Sequence, residues 1–285
     1  MIECWGRVAA GLAGGAVLLM VGAFAQARHA WRQATDALVA ELRAGADTAG
    51  AAPVPDRPAV PADLPAPVAR YFAFALGSEA SIRVARIMHA GTFRTSPDGR
   101  ASPFTSIQTI SVRPRGFVWD AAIAMLPLVP VRVRDTYLGG KGGIEGRVGG
   151  LIPVVHQSGT PELASGALSR WLGEAVWLPS ALLPGDGLAW EAIDDRSARA
   201  TLTDRGTAVS MVAHFGPAGE IVRITAERYR DVGGRGVLTP WVIELGDYAR
   251  TGGMMVPMTG SVGWELPERR FEYWRARIVD IAYER

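Results

Sequence analysis

Apolar and polar residues alternate along most of the chain after residue 81. In the run 117–123, for example, Phe117, Trp119, Ala121 and Ile123 occupy every second position. A period of two is typical of β-strands that bury one face and expose the other. Turn sequences that contain Gly or Pro separate consecutive runs at 96–99, 114–116, 216–219 and 266–269, and the first of them is Ser-Pro-Asp-Gly. This pattern predicts a mostly antiparallel, meandering sheet.

Two segments have the helical period instead. Residues 66–76 predict a short amphipathic helix that opens the folded domain, and residues 161–183 predict a long central helix. On the central helix, an apolar stripe runs through Leu168, Trp171, Leu172, Ala175 and Val176. The opposite side is also largely apolar, and it carries Leu163, Arg170, Glu174, Trp177 and Ala181. We therefore expect one face to pack on the sheet and the other to face protein or a ligand.

The N-terminal region has a long uncharged run at 8–25, which is just long enough to cross a bilayer as a single helix. The alternative is a cleavable signal peptide, because Ala23, Phe24 and Ala25 have the small-x-small form of a cleavage site. A helix over 30–43 and an Ala/Gly/Pro-rich linker follow. The predicted domains are thus an anchor or signal peptide at 1–29, a helix and linker at 30–61, and a β-rich domain at 62–285.

The charge balance excludes one class of partner. The chain has 285 residues with 30 Lys and Arg against 28 Asp and Glu, a net charge of +2. Binding to nucleic acid needs a concentrated basic surface, and the arginines here are scattered along the sequence, so we expect no nucleic acid partner. The single cysteine, Cys4, cannot form an intrachain disulfide.

Familiar catalytic and metal-binding patterns do not appear in the sequence. The four histidines are widely separated, and none falls in a pair with metal-ligand spacing. The glycine-rich stretch at 139–143 lacks the Ser or Thr that follows the lysine of a phosphate-binding loop. No G-x-S-x-G nucleophile sequence occurs. The sequence therefore predicts no metal, no cofactor and no catalytic residue.

Five residues are candidates for ligand binding. Arg170 and Glu174 form an i,i+4 pair on the second face of the central helix, beside Trp177. Such a pair either fixes the position of the helix or binds the acidic headgroup of a ligand, and both roles stay open. Asp135 stands in a strand pattern where Asp is disfavoured, and Trp119 belongs to a large set of aromatic residues in the β-rich domain.

Several short motifs in the domain resemble an uncharacterised family of bacterial proteins that are often membrane-associated. They are LPAPVARY at 64–71, GFVW at 116–119, DTY at 135–137, RWLGEAVWLP at 170–179 and VP at 256–257. The order of helices and strands also resembles the half-barrel fold of periplasmic lipoprotein carriers. That resemblance implies an α+β fold, mostly antiparallel β, with a curved half-barrel-like sheet that wraps a central helix. This chain differs from those carriers because it is larger and because the N-terminal transmembrane helix predicted above precedes the domain.

These observations favour an envelope-associated binding protein for a lipid or other hydrophobic molecule. Its expected location is the inner membrane, crossed once, with the folded domain in the periplasm or outside the cell. Two alternatives remain. One is an enzyme with a charged site around Arg170 and Glu174, and the other is a structural ectodomain that binds a protein partner through a sheet edge.

Overall fold

The alternating runs of the sequence form one antiparallel sheet. A computed structural model describes residues 2–49, 60–77, 82–127 and 129–285, with side chains of the first helix described from Val21. In this part of the chain the strands are β1 Val84–Phe93, β2 Ser102–Ser111, β3 Gly116–Ile123, β4 Val131–Leu138, β5 Lys141–Val148, β6 Ile152–Ser158, β7 Leu188–Asp194, β8 Ser197–Asp204, β9 Thr207–Phe215, β10 Ile221–Val232, β11 Arg235–Thr251, β12 Met254–Glu265 and β13 Arg270–Glu284. The helices are α1 Ile2–Ala49, α2 Ala66–Ala75 and α3 Pro161–Glu174.

The order of strands in the sheet is β6-β5-β4-β3-β2-β1-β13-β12-β11-β10-β9-β8-β7. Each half is a meander of hairpins, and the pair formed by β1 and β13 joins the two halves. The predicted turns at 96–99, 114–116, 216–219 and 266–269 each connect two such hairpin strands. The prediction of a mostly antiparallel, meandering sheet is therefore confirmed.

The sheet curls around α3, which contacts β4 and β5 on one side and β9 and β10 on the other. Direct bonds join the same two halves, because the Tyr137 hydroxyl donates to Asp204 Oδ2 at 2.6 Å. Strands β4 and β8 are far apart in the strand order, so this bond requires a strongly curved sheet. The apolar stripe predicted on α3 is buried, with Leu168, Trp171 and Leu172 at most 1% exposed.

The central helix is shorter than predicted. It ends at Glu174 and is followed by two short 3₁₀ helices, Ala175–Trp177 and Pro179–Leu182. Pro179 explains the break, since proline has no backbone N–H and disfavours the α conformation of the residue before it. Leu178 accordingly has φ −129° and ψ 68°. The single helix expected over 161–183 is therefore wrong beyond Glu174.

Helix α1 lies on the outer face of the sheet. It contains the helix predicted over 30–43, and Trp31, Leu42 and Ala46 are buried there. The predicted linker begins within this helix, and its residues 50–59 lie outside the described part of the chain. The division into domains at 29 and 61 stays a prediction.

The predicted membrane anchor falls mostly on side chains that are not described, because only 21–25 of the run 8–25 have described side chains. Within the part of the chain that the structure describes, no helix is both long enough and apolar enough to span a bilayer. The transmembrane helix and the alternative signal peptide therefore remain predictions.

Candidate functional site

Polar residues interrupt the apolar inner face of the sheet on three adjacent strands. Gln108 on β2 is opposite Trp119 on β3, and Trp119 is opposite Asp135 on β4. All three side chains point inward, because they alternate with outward-facing neighbours and pair at one level of the sheet. Gln108 is fully buried and Trp119 is 4% exposed. The sheet thus presents a polar row to the helix that it encloses.

Arg170 of α3 lies directly over this row. Its Nε donates to Glu174 Oε1 at 2.8 Å, and its Nη1 donates to Asp135 Oδ2 at 2.6 Å. The guanidinium carbon is 4.9 Å from the ring centroid of Trp119 and 4.8 Å from that of Phe117. A cation over aromatic faces gains electrostatic stabilisation, most of all where water is excluded.

Glu174 connects the helix to the sheet through its second oxygen, Oε2, which accepts a hydrogen bond from Gln108 Nε2 at 2.6 Å. Gln108, Trp119, Asp135, Arg170 and Glu174 are named the inner cluster below. The side chains of Arg170 and Glu174 are each 14% exposed, and that of Asp135 is 22% exposed. Burial alone lowers the pKa of Arg170, but the two carboxylates outweigh it and raise that pKa above its usual value.

His89 and Ser106 extend the polar region along β1 and β2. His89 Nδ1 lies 3.2 Å from Ser106 Oγ, and its ring packs against Trp177 and Trp274 at centroid distances of 5.2 and 5.8 Å. Burial, together with the positive charge of Arg170, lowers the pKa of His89 to about 3. The imidazole is therefore neutral near pH 7.

Three buried polar atoms in this region have no hydrogen-bond partner among the described residues. They are Gln108 Oε1, Trp119 Nε1 and His89 Nε2. An unpaired buried polar group costs about 1–3 kcal/mol, so most such groups in native proteins are paired with protein, water or a ligand. Three of the eleven unpartnered buried side-chain atoms of the described residues therefore lie in or next to the inner cluster.

A small closed cavity adjoins the cluster. Its volume is about 20 Å³, and its walls include Glu174, Trp177, Trp241 and Trp274. That space corresponds to roughly one water molecule. Its lining combines one carboxylate that belongs to the inner cluster with several large aromatic rings.

Four of the five predicted site residues meet in the inner cluster, namely Trp119, Asp135, Arg170 and Glu174. Trp177 is beside them, lines the cavity and donates from Nε1 to the Pro257 carbonyl oxygen at 3.1 Å. The assignment of a binding role to these five residues stays a prediction.

Sequence reasoning missed Gln108, His89 and Ser106. The sequence does contain a signal for these three residues, because each is a polar residue at an inward position of an alternating strand. Within the described part of the chain, no group of three or more His, Cys, Asp or Glu residues is arranged to hold a metal ion.

A second polar cluster occupies the opposite face of β3 and β4, where α1 crosses the sheet. Arg134 donates from Nη2 to Glu145 Oε2 at 2.6 Å and from Nη1 to Thr35 Oγ1 at 2.8 Å. Its guanidinium lies over the Trp31 ring at 4.5 Å, and Trp31 Nε1 donates to Asp120 Oδ1 at 2.9 Å. Trp31, Thr35, Asp120, Arg134 and Glu145 are named the outer cluster.

The chain belongs to DUF6920, a family of unknown function, whose pattern matches residues 62–283. None of the curated proteins compared with it matches. Among solved structures, a LolA superfamily protein from Nitrosomonas europaea is 10% identical, with a TM-score of 0.43 over 77% of this chain and 92% of its own. A putative outer membrane lipoprotein-sorting protein domain from Vibrio parahaemolyticus is 8% identical, with a TM-score of 0.40 over 71% and 86%. Family membership confirms the resemblance to an uncharacterised family.

Proposed function

We propose that this member of the DUF6920 family is an envelope-associated protein that binds an amphiphilic molecule inside the curved sheet. The observation that carries the proposal is the set of unpartnered buried atoms Gln108 Oε1, Trp119 Nε1 and His89 Nε2. These residues do not line the tryptophan-lined cavity but contact its walls, because Gln108 bonds to Glu174 and the His89 ring packs on Trp177 and Trp274. A ligand with a polar headgroup satisfies such atoms, and its apolar part packs against the aromatic rings.

The charges of the inner cluster favour an uncharged headgroup. Asp135 and Glu174 together carry one negative charge more than Arg170 supplies, and His89 is neutral. An acidic headgroup would meet this excess negative charge in a poorly solvated place, which is unfavourable. The free atoms include a donor, Trp119 Nε1, and an acceptor, Gln108 Oε1. Hydroxyl and amide headgroups match that combination.

The cavity has to widen before a ligand larger than water enters. Val176 and Trp177 of the first 3₁₀ helix, Ala175–Trp177, form one wall. Short 3₁₀ segments have weaker internal hydrogen bonding than α-helices and frequently mark hinges. We propose that ligand entry displaces this segment from the sheet, while α3 and its bonds to Asp135 and Gln108 stay in place.

We also propose that residues 8–25 anchor the protein in the inner membrane, with the folded domain in the periplasm or outside the cell. The support for the anchor is an uncharged run of bilayer-spanning length, flanked by Arg7 on one side and by Arg28 and Arg32 on the other. The flanking charges are nearly balanced and do not favour one orientation. Sequencing the N-terminus of the mature protein tests the anchor. A mature chain that begins at Gln26 or Arg28 would mean that this segment is a cleaved signal peptide.

Native mass spectrometry of the full chain, released from membranes in mild detergent, tests the binding function. We expect a non-covalent adduct with the mass of a membrane amphiphile. Glu174→Gln keeps the side-chain volume and removes the charge, and we expect it to lower the occupancy of that adduct. Lipid extraction followed by mass analysis then identifies the bound molecule.

Asp204→Asn is the matched control. Asp204 is 13% exposed, close to the 14% of Glu174, and it also pairs with an arginine, Arg115, at 3.4 Å. It accepts from the Tyr137 hydroxyl and is not part of the inner cluster. We expect this substitution to lower stability and leave occupancy unchanged. A wild-type chain without any adduct, or equal loss of occupancy in both variants, would contradict the proposal.

A further inference from the structure

Two uncharged segments lie side by side at one end of the domain. Residues 124–131 and 148–155 contain no Asp, Glu, Lys or Arg. They expose Leu126 (48%), Leu151 (46%), Ile152 (63%) and Val154 (57%). These four residues are named the apolar rim. Ile152 and Val154 are two residues apart on β6, and the Gly149 N–H donates to the Pro130 carbonyl oxygen at 2.9 Å, which joins the turn before Leu151 to the loop that carries Leu126. Exposed apolar residues that occur singly need no explanation, but several of them at one end of a domain mark a surface that contacts something.

The apolar rim is held against the beginning of the described part of α1. Gly149, in the turn between β5 and β6, approaches α1 so closely that a Cβ atom there would lie 2.6 Å from Phe24 Cε2 and 3.0 Å from Val129 Cγ1. A Cβ on Gly150 would come 3.5 Å from the Ala27 carbonyl oxygen. Both glycines have positive φ, 60° and 80°, as this tight turn requires. The position of the turn against the helix is therefore fixed by close packing.

Phe24 is itself part of the uncharged run 8–25. If that run spans a bilayer, residues that pack on Phe24 and Ala27 lie at the level where the helix leaves the hydrocarbon core. The headgroup region on each side of the core is about 5–7 Å deep, and a helix rises about 1.5 Å per residue. The turn at 149–150 and the apolar rim beside it therefore fall within the headgroup region.

The charges near the apolar rim also fit a membrane surface. Arg28, His29 and Arg32 are exposed, and with Val129 they line a groove of about 770 Å³ between α1 and the loop after β3. Basic residues just outside a membrane span contact anionic lipid headgroups. Apolar residues flanked by basic ones are the composition of surfaces that rest in a bilayer interface.

We infer that the apolar rim, together with Arg28 and Arg32, rests on the lipid headgroups and uppermost acyl chains of the bilayer that holds the anchor. This inference rests on the anchor proposed above, and adds that the folded domain is seated on the membrane. Its sheet edge, β6, is an alternative docking site for a partner strand. Pro153 is the second residue of that edge strand and has no N–H to donate, which disfavours strand addition there.

Fluorescence in vesicles tests the inference with the full chain. The native Cys4 is replaced by Ser, and a polarity-sensitive fluorophore is attached at Ile152→Cys, with Leu126→Cys as a second position in case the first variant does not fold. The control is Ser158→Cys, which is exposed at the other end of the same strand, about 20 Å away at 3.3 Å per residue. The vesicles contain phosphatidylethanolamine and phosphatidylglycerol, with or without a lipid-attached quencher.

We expect blue-shifted emission from the label at 152 or 126, and we expect the lipid-attached quencher to remove most of that emission. The emission of the label at 158 should change little. Equal quenching at the rim and at 158, or at neither, would overturn the inference. A rim label that is shielded from water in native membranes but not in pure lipid vesicles would indicate that a protein partner covers the apolar rim. This result would also overturn the inference. Alkaline carbonate extraction is run in parallel, since release of the chain would refute the anchor and, with it, the seating.

Discussion

The inner and outer clusters occupy opposite faces of the same two strands and use the same residue types differently. Each has an arginine that stacks on a tryptophan and pairs with carboxylates, Arg170 inside and Arg134 outside. The two tryptophans are almost equally buried, with Trp31 at 5% and Trp119 at 4% exposure. The Trp31 N–H donates to Asp120, whereas the Trp119 N–H has no partner among the described residues.

This difference is the one expected between a structural contact and the binding site proposed above. In the outer cluster, hydrogen bonds hold α1 on the sheet. Such pairing of buried polar groups is expected in a permanent structural contact. The inner cluster holds α3 and still keeps unpaired buried atoms, which costs stability. A protein that tolerates this cost at one place often does so because a bound molecule removes it.

Substitution of the two arginines gives the largest expected difference. Arg170→Met leaves Asp135 and Glu174 as partly buried carboxylates without a cation, and we expect a loss of about 3–5 kcal/mol in the free energy of unfolding. Arg134→Met leaves Glu145 paired with Arg147 at 2.8 Å, so we expect about 1–3 kcal/mol. Chemical denaturation followed by tryptophan fluorescence measures both. Equal losses of unfolding free energy in the two variants would contradict this distinction between the clusters.

The two clusters also differ in their expected response to pH. His89 has a pKa of about 3 in the folded protein against 6.5 for an unperturbed histidine. The unfolded chain therefore binds this proton first, so stability is full above pH 6.5 and falls by up to about 1.4 kcal/mol per pH unit as the pH drops toward 3. In the outer cluster, burial is the largest single effect and raises the pKa of Glu145, but the hydrogen bonds and charges of Arg134 and Arg147 together lower it below its usual value of 4.5. The contribution of Glu145 to stability is therefore lost only below about pH 4.5.

Two histidine variants check that assignment. His89→Gln should flatten the dependence of stability on pH between 6.5 and 4.5, because Gln does not titrate. His214, whose pKa is lowered first by burial and then by Arg223, is the control, since it is half-buried and lies outside both clusters. We expect His214→Gln to leave most of the slope in place. If His89→Gln leaves the slope of stability against pH unchanged, another group is responsible for the pH dependence.

Replacing each tryptophan by phenylalanine compares the two indole N–H groups directly. Trp31→Phe removes a donor from Asp120, and we expect it to cost about 1–3 kcal/mol. Trp119→Phe removes an N–H without a partner, so we expect a smaller loss, from packing alone. Thermal and chemical denaturation measure both. A loss at Trp119 as large as that at Trp31 would indicate that its N–H is bonded in solution, for example to a bound ligand.

Arg132→Met gives the smallest expected effect. Arg132 is 25% exposed and pairs with Asp120 at 2.8 Å, while Asp120 keeps its bond from Trp31. Partly exposed ion pairs contribute about 0.2–1 kcal/mol and are screened by salt. We expect a loss in that range at low ionic strength that disappears in high salt. A loss of several kcal/mol would mean that the outer cluster depends on this arginine as the inner one depends on Arg170.

The sequence predicted the parts of the fold that depend on local spacing. Alternation identified β3 and the turns around it, and the spacing of Leu168, Trp171 and Leu172 identified the buried face of α3. The end of α3 was missed because the prediction gave the apolar period more weight than Pro179. Periodicity describes which side of an element is apolar, and it does not determine where backbone hydrogen bonding stops.

The inner cluster could be predicted only in part. Arg170 and Glu174 were paired by their i,i+4 spacing, and Asp135 was noted as an unusual strand residue. That Asp135 bonds Arg170 depends on which strands curl around α3, which is a property of the whole sheet. Gln108 could have been found from alternation alone. The absence of a partner for the Trp119 N–H depends on the side chains of three strands at once and has no signal in the sequence.

The pairing of β1 with β13 has a consequence for how the chain reaches its fold. Every other pair of adjacent strands in the sheet consists of two strands that follow each other along the chain. The pair of β1 and β13 differs, because Val84 pairs with Glu284 at the far end of the sequence. The free-energy cost of closing a loop grows only slowly with loop length, by about 0.6 kcal/mol per doubling. Contacts between distant parts of the chain nevertheless slow folding. Two meanders can therefore form early from local hairpins, and the seam between β1 and β13 closes them late. Shortening the chain at its C-terminus would open the sheet at its centre and leave both outer edges intact.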